Sequence, residues 1–514
     1  MLFDLLKKLR PAHKTASHTQ LNRATAVCGT TADSGSISMF NMVSAVRSKD
    51  PLPEIDFGYV QRDSQLAQVL FLITSGRQGE AEKILDLKLE ADPGVVHLWH
   101  LRALCATEAG DIAAGDSYMR EALRIAPNDP RALVSCAMQA FLAGDFYGCQ
   151  AALDGLTQSP HRNNVVARLL RGQLLDARGK MDQAIAEFEG AIGLAPKAHI
   201  APEMGIAASH LKAGRLSEGL RAWLRADLMA GAFHTYPAMP VWSGQALGQG
   251  SILIAQRGHN LGDAIQFLRF ATSLKRKHPR AWVAVQVPAE LARIASSVEG
   301  VDEVLPNEQY QPAHDWFTTT THLPLVLEET LDSASALHPY VTPPADIVSR
   351  FARLVPAGSE LKVGLCWAGW PLSVDVKRSV LFAQLQPLFA VPGVRFFNFQ
   401  MGAPRAALLG TALGSRVVDL TGHVKDLLDS AALLANLDLL ISVDTALVHL
   451  AGAVGIPVFL LNRPDGDWRW MAEGERSPWY PSVRIFRHPQ HTDWRQVIDA
   501  AASALAGFKP EAGA

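Results

Sequence analysis

One stretch of the chain has the pattern of a buried strand, a helix and a second buried strand in succession: LDLLISVDTALVHLAGAVGIPVFLL, residues 437–461. Asp444 or Thr445 is placed to cap a helix that begins near Ala446. Thr445 and His449 are four residues apart and therefore share one helix face. Ligands of open α/β sheets bind beyond the carboxyl ends of the strands, where free helix N–H groups favour an anion such as phosphate. A simple cap at Asp444 and a core histidine at His449 are the structural alternative.

Similar strand-like runs lie on both sides of this stretch, with helical segments between them. Alternating strands and helices indicate parallel sheets built from right-handed crossovers. The proline-rich segment PYVTPP (339–344) divides the runs into two series. The first series is 251–256, 281–287 and 301–305, and the second is 361–369, 394–400, 416–420, 437–443, 457–461 and 483–486. The sequence therefore predicts two Rossmann-like lobes with a cleft between them.

The N-terminal half repeats with a period of 34 or 35 residues. The markers are Gly76, Gly110, Gly144, Gly179 and Gly214, followed by Pro93, Pro127, Pro160 and Pro196. This period is typical of helix–turn–helix units, and the clearest unit, LLRGQLLDARGKMDQAIAEFEGAIGLAP (169–196), resembles the tetratricopeptide repeat. Such units must stack to bury their apolar faces, and the stack forms a curved groove suited to an extended peptide or a partner helix. A rigid spacer or an oligomerisation surface is the alternative.

The predicted fold class is α + α/β: an N-terminal tetratricopeptide-repeat α-solenoid followed by two Rossmann-like lobes. The predicted boundaries are a mobile leader (1–63), the repeats (64–235), a packed connector (236–250), an N-terminal Rossmann-like lobe (251–345), a C-terminal Rossmann-like lobe (346–506) and a tail (507–514).

The composition is that of a globular protein without a strong overall charge. The 514 residues are 48% hydrophobic and 19% charged, and the formal net charge is −2, which gives no indication of nucleic-acid binding or of attraction to an anionic membrane. The five cysteines are scattered and form no C-x-x-C pair, which favours a reducing compartment. The opening MLFDLLKKLR lacks the apolar core of a signal peptide, and no apolar run is long enough for a membrane span. We therefore expect a soluble, cytoplasmic protein.

Three groups of residues in the C-terminal half carry a family resemblance. They are GHNLGDAIQFLRFATSLKRKHP (258–279), SVDTALVHLAGAVGIPV (442–458), and DWRW (467–470) together with SPWYPSVRIFR (477–487). In this order they resemble the family-9-type glycosyltransferases, to which the bacterial heptosyltransferases belong, with kinship to the catalytic half of the O-linked N-acetylglucosamine transferases. The resemblance extends from Ser251 to Leu505. It implies a GT-B fold that transfers a sugar from a nucleotide-sugar donor.

This resemblance implies roles on the acceptor side and for the leaving group. Asp263 matches the candidate general base, which would take the proton of an acceptor hydroxyl, and Gly258 and Gly262 belong to the acceptor loop. Lys377 and Arg378 match the basic element that would stabilise the departing nucleoside diphosphate. A helix N-cap is the structural alternative for Asp263, and a solvated surface pair is the alternative for the two basic residues.

The resemblance also implies a donor site in the C-terminal lobe, with the diphosphate held at the helix that begins near residue 446. The implied donor-binding residues are Asp444, Thr445, Ala446, Leu447, His449 and Gln400. Trp370 departs from the family, which usually has a small polar residue at this position. The donor sugar and its nucleotide therefore stay open.

A metal ion is weighed at Asp465-Gly466-Asp467, which has the D-x-D spacing of many metal-dependent transferases. The family that the chain resembles needs no metal, so we expect a loop cap there, no metal and no cofactor, the nucleotide sugar being a substrate. The histidines lack H-E-x-x-H spacing, and the chain has no P-loop, no G-x-S-x-G and no sound G-x-G-x-x-G. These observations weigh against an NTPase, a hydrolase and a dehydrogenase.

The functional expectation is an inverting, metal-independent glycosyltransferase that moves a sugar to a hydroxyl of a protein. The repeats would recruit this protein client, and flagellin is one candidate because bacterial proteins of this layout include flagellin glycosyltransferases. One alternative is a transferase acting on a lipid-linked or cell-envelope saccharide. Another is a non-catalytic scaffold with a degenerate GT-B domain. We expect no nucleic-acid partner and no membrane span.

Overall fold

The computed structural model describes residues 64–510, except 110, 158–164, 195–199, 235–238, 257–259, 306–312, 370–377 and 488–493. The predicted leader (1–63) and the last residues of the predicted tail (511–514) lie outside the described residues. The same is true of these residues singled out above: Gly110, Pro160, Pro196, Gly258, Trp370 and Lys377.

Ten helices in the described residues form an N-terminal solenoid of antiparallel pairs. They are α1 (Ser64–Thr74), α2 (Gln78–Ala91), α3 (Val96–Glu108), α4 (Ile112–Ile125), α5 (Pro130–Ala143), α6 (Phe146–Thr157), α7 (Val165–Ala177), α8 (Met181–Leu194), α9 (Ile200–Lys212) and α10 (Leu216–Met229). Four of the predicted turn glycines connect the helices of a pair with φ between +72° and +79°, a region that glycine adopts without strain. These are Gly76, Gly144, Gly179 and Gly214.

The fourth pair shows why the helices approach closely. A Cβ at Gly172 of α7 would lie 2.5 Å from the Phe188 ring of α8, so the ring fits only because the side chain is missing. Ala184, Phe188 and Ala191 are all buried on the same face of α8. The predicted helix–turn–helix packing of this unit is therefore confirmed.

Two parallel sheets follow the solenoid. The first has the order β3-β2-β1-β4, with β1 (Ser251–Ala255), β2 (Trp282–Gln286), β3 (Glu303–Leu305) and β4 (Trp316–Thr319). The second has the order β10-β9-β8-β5-β6-β7, with β5 (Leu361–Cys366), β6 (Val394–Asn398), β7 (Val417–Val418), β8 (Leu439–Val443), β9 (Val458–Leu461) and β10 (Val483–Phe486). The predicted fold class, a helical solenoid followed by two parallel α/β sheets, is confirmed.

The strand order places the ligand-binding edge of each sheet. Leu253 of β1 pairs with Ala284 on one side and Phe317 on the other, and Gly364 of β5 likewise lies between Phe397 and Leu440. The first strand of each lobe is therefore central, and the connections leave it in both directions. In open parallel sheets the crevice at such a switch point, beyond the carboxyl ends of the strands, is where ligands bind.

Nine further α-helices within the described residues pack on these sheets. They are α11 (Leu261–Lys277), α12 (Ala292–Ala295), α13 (Leu323–Val326), α14 (Leu331–Ala336), α15 (Ala345–Ala352), α16 (Gln386–Phe389), α17 (Leu427–Leu434), α18 (Ala446–Val454) and α19 (Trp494–Ala506). Short 3₁₀ turns occupy Ala232–His234, Ala289–Leu291, Phe382–Leu385, Ala403–Leu408, Gly414–Arg416, Thr421–His423 and Trp468–Trp470. In the part of the chain that the structure describes, none of the helices has the length and apolar character needed to cross a bilayer.

Strand β4 is absent from the predicted strands, because its threonine-rich run shows no alternation of apolar and polar residues. It is nevertheless buried, since the connector packs along its edge. The Trp242 N–H donates to the Phe317 carbonyl at 2.8 Å, and the Phe317 N–H donates to the Pro240 carbonyl at 3.0 Å. The Trp242 side chain is fully buried.

The last repeat packs against both lobes. Trp223 of α10 lies edge-on to Phe267 of α11 at 6.4 Å between ring centroids, and edge-on to Trp468 of the second lobe at 6.0 Å. At the far side of the lobes, Arg293 of α12 forms an ion pair of 2.6 Å with Asp426, the N-cap of α17. The solenoid and the two sheets are therefore packed into one body.

A fully buried arginine joins the lobes close to this junction. Arg269 of α11 donates to the Ala334 carbonyl at 3.0 Å and to the Trp479 carbonyl at 2.7 Å. Its guanidinium also lies 4.6 Å from the ring centroids of both Tyr340 and Tyr480. Because the cation is satisfied by carbonyl oxygens and aromatic rings of both lobes, it fixes α11 against the C-terminal lobe.

Candidate active site

The two lobes meet where α11 begins. A Cβ at Gly262 would lie 2.9 Å from the His449 Cδ2 of α18, so only glycine allows this approach. His449 is one helical turn after the first residues of α18, a distance of roughly 5–6 Å along the helix axis. Gly262, predicted in the acceptor loop, and His449, predicted in the donor site, are therefore neighbours.

His449 lies in an aromatic pocket and is 4% exposed. Its Nδ1 is 3.0 Å from the Tyr480 hydroxyl, and its ring lies 5.1 Å from that of Trp470. Burial, with smaller contributions from the charges of Arg269 and Arg378, lowers the pKa of His449 to about 3. The imidazole is therefore neutral at physiological pH and carries no charge for an anionic donor.

The start of α18 is the open feature of the site. Thr445 is the N-cap, with extended φ and ψ of −148° and 167°, and its side chain makes no capping hydrogen bond within the described residues. Its hydroxyl instead lies 3.4 Å from that of Ser442. The predicted donor residues 444–447 are all half-buried. The N–H groups of a first helical turn have no partner inside the helix, so this end can accept an anion.

A basic side chain stands next to this helix start. Nη1 of Arg378 lies 3.8 Å from Oδ2 of Asp444, and the Arg378 side chain is one-third exposed. The structure thus brings Arg378, from the loop after β5, to the carboxyl end of β8. Its predicted neighbour Lys377 lies outside the described residues.

Gln400 occupies the carboxyl end of β6 and uses its amide on the chain itself. Oε1 accepts from the N–H groups of Trp367 and Ala368 at 3.0 and 2.8 Å. Nε2 donates to the carbonyl oxygens of Ala368 and Met401, each at 3.1 Å. The side chain therefore fixes the loop after β5, and a role toward the donor would pass through that loop.

Asp263 lies in the first turn of α11 and is 6% exposed. Its N–H donates to the side chain of Asn260, the helix N-cap, at 3.4 Å. Its carboxylate forms an ion pair with Arg469 of the opposite lobe. The predicted base is therefore held from both its own helix and the facing lobe.

Arg469 is the functional candidate that the sequence analysis did not identify. It belongs to the DWRW run (467–470), which contributes to the family resemblance. The available signal was an arginine between two tryptophans in a loop after a buried strand. Its partner cannot be read locally, because Asp263 belongs to the other lobe.

The D-x-D motif is occupied by internal contacts. Asp465 pairs with Arg463, and Oδ1 of Asp467 accepts from the backbone N–H of Arg469 at 3.0 Å, as the cap of a 3₁₀ turn. Within the residues that the structure describes, no group of three or more His, Cys, Asp or Glu side chains is placed to hold a metal ion.

Two family models match the chain. The glycosyltransferase family 9 (heptosyltransferase) model matches residues 401–496, which include Thr445, His449 and Arg469 but not Asp263. The tetratricopeptide repeat model matches residues 96–129 and 166–197.

Individual proteins resemble the chain over different spans. Protein FlbA of Caulobacter vibrioides is 27% identical over 461 residues, which cover 84% of this chain and 70% of FlbA. Among solved structures, the Escherichia coli ADP-heptose lipopolysaccharide heptosyltransferase II is 16% identical with a TM-score of 0.37, covering 50% of this chain and 99% of that one. A tetratricopeptide repeat protein of Thermus thermophilus is 17% identical with a TM-score of 0.30, covering 33% of this chain and 91% of that one.

The repeat model matches helical pairs of the solenoid, and the glycosyltransferase model covers β7 to β10 of the second parallel sheet. The chain is therefore a glycosyltransferase, with tetratricopeptide repeats ahead of a C-terminal glycosyltransferase family 9 domain.

Proposed function

We propose that this glycosyltransferase moves a sugar from a nucleotide-sugar donor to a hydroxyl group of a protein client, with inversion at the anomeric carbon and without a metal ion. The donor lies on the C-terminal lobe and the acceptor on the N-terminal lobe. The repeats recruit the client, in the cytoplasm, where nucleotide sugars are available.

One arrangement carries the proposal: a buried carboxylate and an open helix start lie on either side of the same contact between the lobes. Asp263 follows Gly262, which touches His449. Thr445 stands one turn before His449 on α18. A donor diphosphate at that helix start and an acceptor beside Asp263 would therefore be neighbours in the crevice.

The chemistry is a single displacement. Asp263 takes the proton of the acceptor hydroxyl while the hydroxyl oxygen forms a bond to the anomeric carbon. The bond from that carbon to the diphosphate oxygen breaks at the same time, and the nucleoside diphosphate departs with the electron pair. Attack from the face opposite to the leaving group inverts the anomeric centre.

The departing diphosphate gains negative charge, which must be stabilised. The N–H groups at the start of α18 and the guanidinium of Arg378 supply positive charge at the same place. Lys377, which the family resemblance assigns to the same basic element as Arg378, adds a second cation. These groups do the work for which other transferases use a divalent ion.

The repeats support a protein acceptor. Stacked tetratricopeptide units form an elongated surface, and here the last unit packs directly on both lobes through Trp223. A client held along the solenoid would therefore be presented close to the crevice. Flagellin is the first client to test, because the layout resembles that of bacterial flagellin glycosyltransferases.

A saccharide of the cell envelope is the second candidate acceptor, favoured by the heptosyltransferase description of the matched family. In that case the repeats would serve assembly. The two candidates differ in the product, a glycosylated protein or an extended saccharide.

The test uses the purified full-length chain with a panel of nucleotide sugars. A true donor raises the melting temperature, since a ligand at 100 times its Kd stabilises the folded state by about 2.7 kcal/mol. The stabilising donor is then incubated with flagellin or with envelope saccharides. We expect a mass increase on the protein, an inverted anomeric configuration by NMR and activity that survives EDTA. Retained configuration or loss of activity in EDTA would contradict the mechanism. Transfer to the saccharide alone would show that the acceptor is a cell-envelope saccharide and not a protein.

A further inference from the structure

A short loop of the C-terminal lobe, residues 467–471, contacts both the repeats and the N-terminal lobe. Trp468 packs edge-on against Trp223 of α10 at 6.0 Å and against Trp479 at 5.6 Å. The next residue, Arg469, pairs with Asp263 of α11. One loop therefore connects the last repeat to the proposed base.

Arg469 is a buried cation between two carboxylates. Its side chain is 5% exposed and that of Asp263 is 8% exposed. Nη1 donates to Oδ1 of Asp467 at 2.6 Å, and the guanidinium lies 4.3 Å from the Trp468 ring centroid. One carboxylate comes from each lobe, so the guanidinium bridges the site.

Stability alone gives a weak reason for this bridge. Burying an ion pair costs desolvation energy that often equals or exceeds the electrostatic gain, so apolar residues would serve packing at least as well. A base that must stay ionised and point at a hydroxyl gives a stronger reason. A neighbouring cation favours the ionised carboxylate, and a close ion pair restricts its direction.

We propose that Arg469 is a positioning residue for sugar transfer, holding the Asp263 carboxylate from the opposite lobe on a loop that Trp223 of the last repeat braces. The inference rests on the proposed function, because it requires Asp263 to be the base. The last repeat is then part of the catalytic architecture as well as a surface for the client.

The loop is held from its other side too. Arg487 donates to the carbonyl oxygens of Met471 at 2.5 Å and Ala472 at 3.1 Å, and also to that of Trp470. With Trp223 on one side and Arg487 on the other, residues 467–471 have little freedom to move. Positioning of Asp263 therefore depends on both contacts.

The charged groups around the pair define what a pH profile would report. Asp467 faces Arg469 from the same loop. On the side of α18, His449 is neutral, with a pKa of about 3. Arg269, further along α11, is engaged by carbonyl oxygens and tyrosine rings. The pair of Asp263 with Arg469 is therefore the interaction whose removal the acid limb of the profile should report.

The experiment compares Arg469→Gln and Arg469→Lys in the full-length chain, with the donor found by thermal shift. We expect Arg469→Gln to lower kcat by about 100-fold, the scale of a misplaced catalytic group, with donor Kd within twofold of the original. Its acid limb should move to higher pH, because the cation that favours the ionised carboxylate is gone. Arg469→Lys keeps the charge and should recover part of kcat and of the shift. Arg484→Gln, which breaks an exposed arginine–glutamate pair in the same lobe, is the matched control and should change neither.

Trp223 tests the brace independently of the charge. Trp223→Ala should lower kcat with a donor Kd that is unchanged, and Trp223→Phe should keep most of the activity. Arg225→Gln is the control in the same helix, since Arg225 pairs with Glu203 inside the repeat. If Arg469→Gln fails to fold, the Arg469→Lys variant and the comparison of Trp223→Ala with Trp223→Phe still test the positioning role.

The outcomes separate this inference from the proposed function. If Asp263→Asn abolishes transfer but Arg469→Gln retains kcat and its pH profile, the positioning role is wrong and the base assignment survives. If Asp263→Asn retains kcat, the base assignment itself fails. An equal loss of kcat and of donor affinity in Arg469→Gln would make Arg469 a donor ligand instead.

Discussion

The two helices that begin at the candidate site, α11 and α18, differ in whether a side chain caps the first turn. At α11 the Asn260 side chain caps the first turn, and the Asp263 carboxylate within that turn is paired with Arg469. At α18 the Thr445 side chain makes no capping bond in the described part of the chain. A capped start has fewer N–H groups for a ligand, while an uncapped one keeps them for an anion.

This difference supports the proposed division of tasks between the two lobes. Both helices follow strands of parallel sheets, so the backbone offers an anion site in each lobe. The N-terminal lobe, the proposed acceptor side, has a capped helix start with the paired Asp263 carboxylate in its first turn. The C-terminal lobe, the proposed donor side, leaves its helix start half-buried and places Arg378 beside it. Caps and neighbouring charges, and not the fold unit, distinguish the proposed base from the proposed phosphate site.

The largest effect on transfer should come from removing the Asp263 carboxylate in the capped first turn of α11. Asp263→Asn keeps the shape but cannot accept the proton, so kcat should fall by roughly 10²–10⁴-fold, while calorimetric donor affinity stays nearly unchanged. Asp302→Asn is the matched control, because Asp302 pairs with Lys275 at the other end of α11. A loss of donor affinity as large as the loss of turnover would show that Asp263 is not the base.

The next largest effect should come from adding a charged cap at the start of α18. Thr445→Asp provides a good N-cap and a negative charge, so α18 should become more stable by a few tenths to about 1 kcal/mol. The same charge repels the diphosphate, and donor affinity should fall by at least about tenfold, or 1.4 kcal/mol. Thr445→Ser, which keeps the hydroxyl and adds no charge, should bind the donor normally. Undiminished donor binding in Thr445→Asp would place the diphosphate elsewhere.

A pH dependence follows from His449, which lies between the two starts. Its folded-state pKa of about 3 is below the ordinary value of 6.5, so the unfolded chain binds more protons between these values and stability falls as the pH drops below 6.5. The cost is about 1.4 kcal/mol per pH unit, or about 2 kcal/mol at pH 5. His449→Gln should remove it, as measured by urea unfolding at pH 7.5 and pH 5.

Two further expectations concern His449. Burial also lowers the pKa of His322 to about 4, in the N-terminal lobe. Part of the acid sensitivity should therefore persist in His449→Gln and be reduced further in the double variant. Donor affinity of the original chain should be flat from pH 6 to 8 as far as His449 is concerned. Equal acid sensitivity of His449→Gln and the original chain would contradict the buried neutral state.

The fold was largely accessible from local patterns. The recurring glycines predicted the turns of the repeats, and Gly76, Gly144, Gly179 and Gly214 occupy them with positive φ. The apolar run 437–443 predicted a buried strand, which the structure has at Leu439–Val443. Strand β4 was not accessible, because its burial comes from the connector and from β1 and not from its own pattern.

The site was accessible only in part, because its contacts join distant segments. Spacing and resemblance predicted Asp263, Thr445 and His449, and the structure places the last two on one helix that touches the turn of the first. Local sequence could not show that Arg469 pairs with Asp263, or that the Gln400 amide is used by the loop after β5. Those partners depend on how the lobes dock.

The smallest effect should come from removing the side-chain cap of α11. Asn260→Ala removes a cap whose hydrogen bond is long, 3.4 Å, so the cost to stability should be about 1 kcal/mol or less. Faster hydrogen exchange should be confined to the first turn of α11, and donor affinity should not change. Because Arg469 still holds Asp263 from the facing lobe, kcat should fall by less than in Arg469→Gln. A loss of kcat as large as that of Asp263→Asn would mean that the cap, and not the bridge between the lobes, orients the carboxylate.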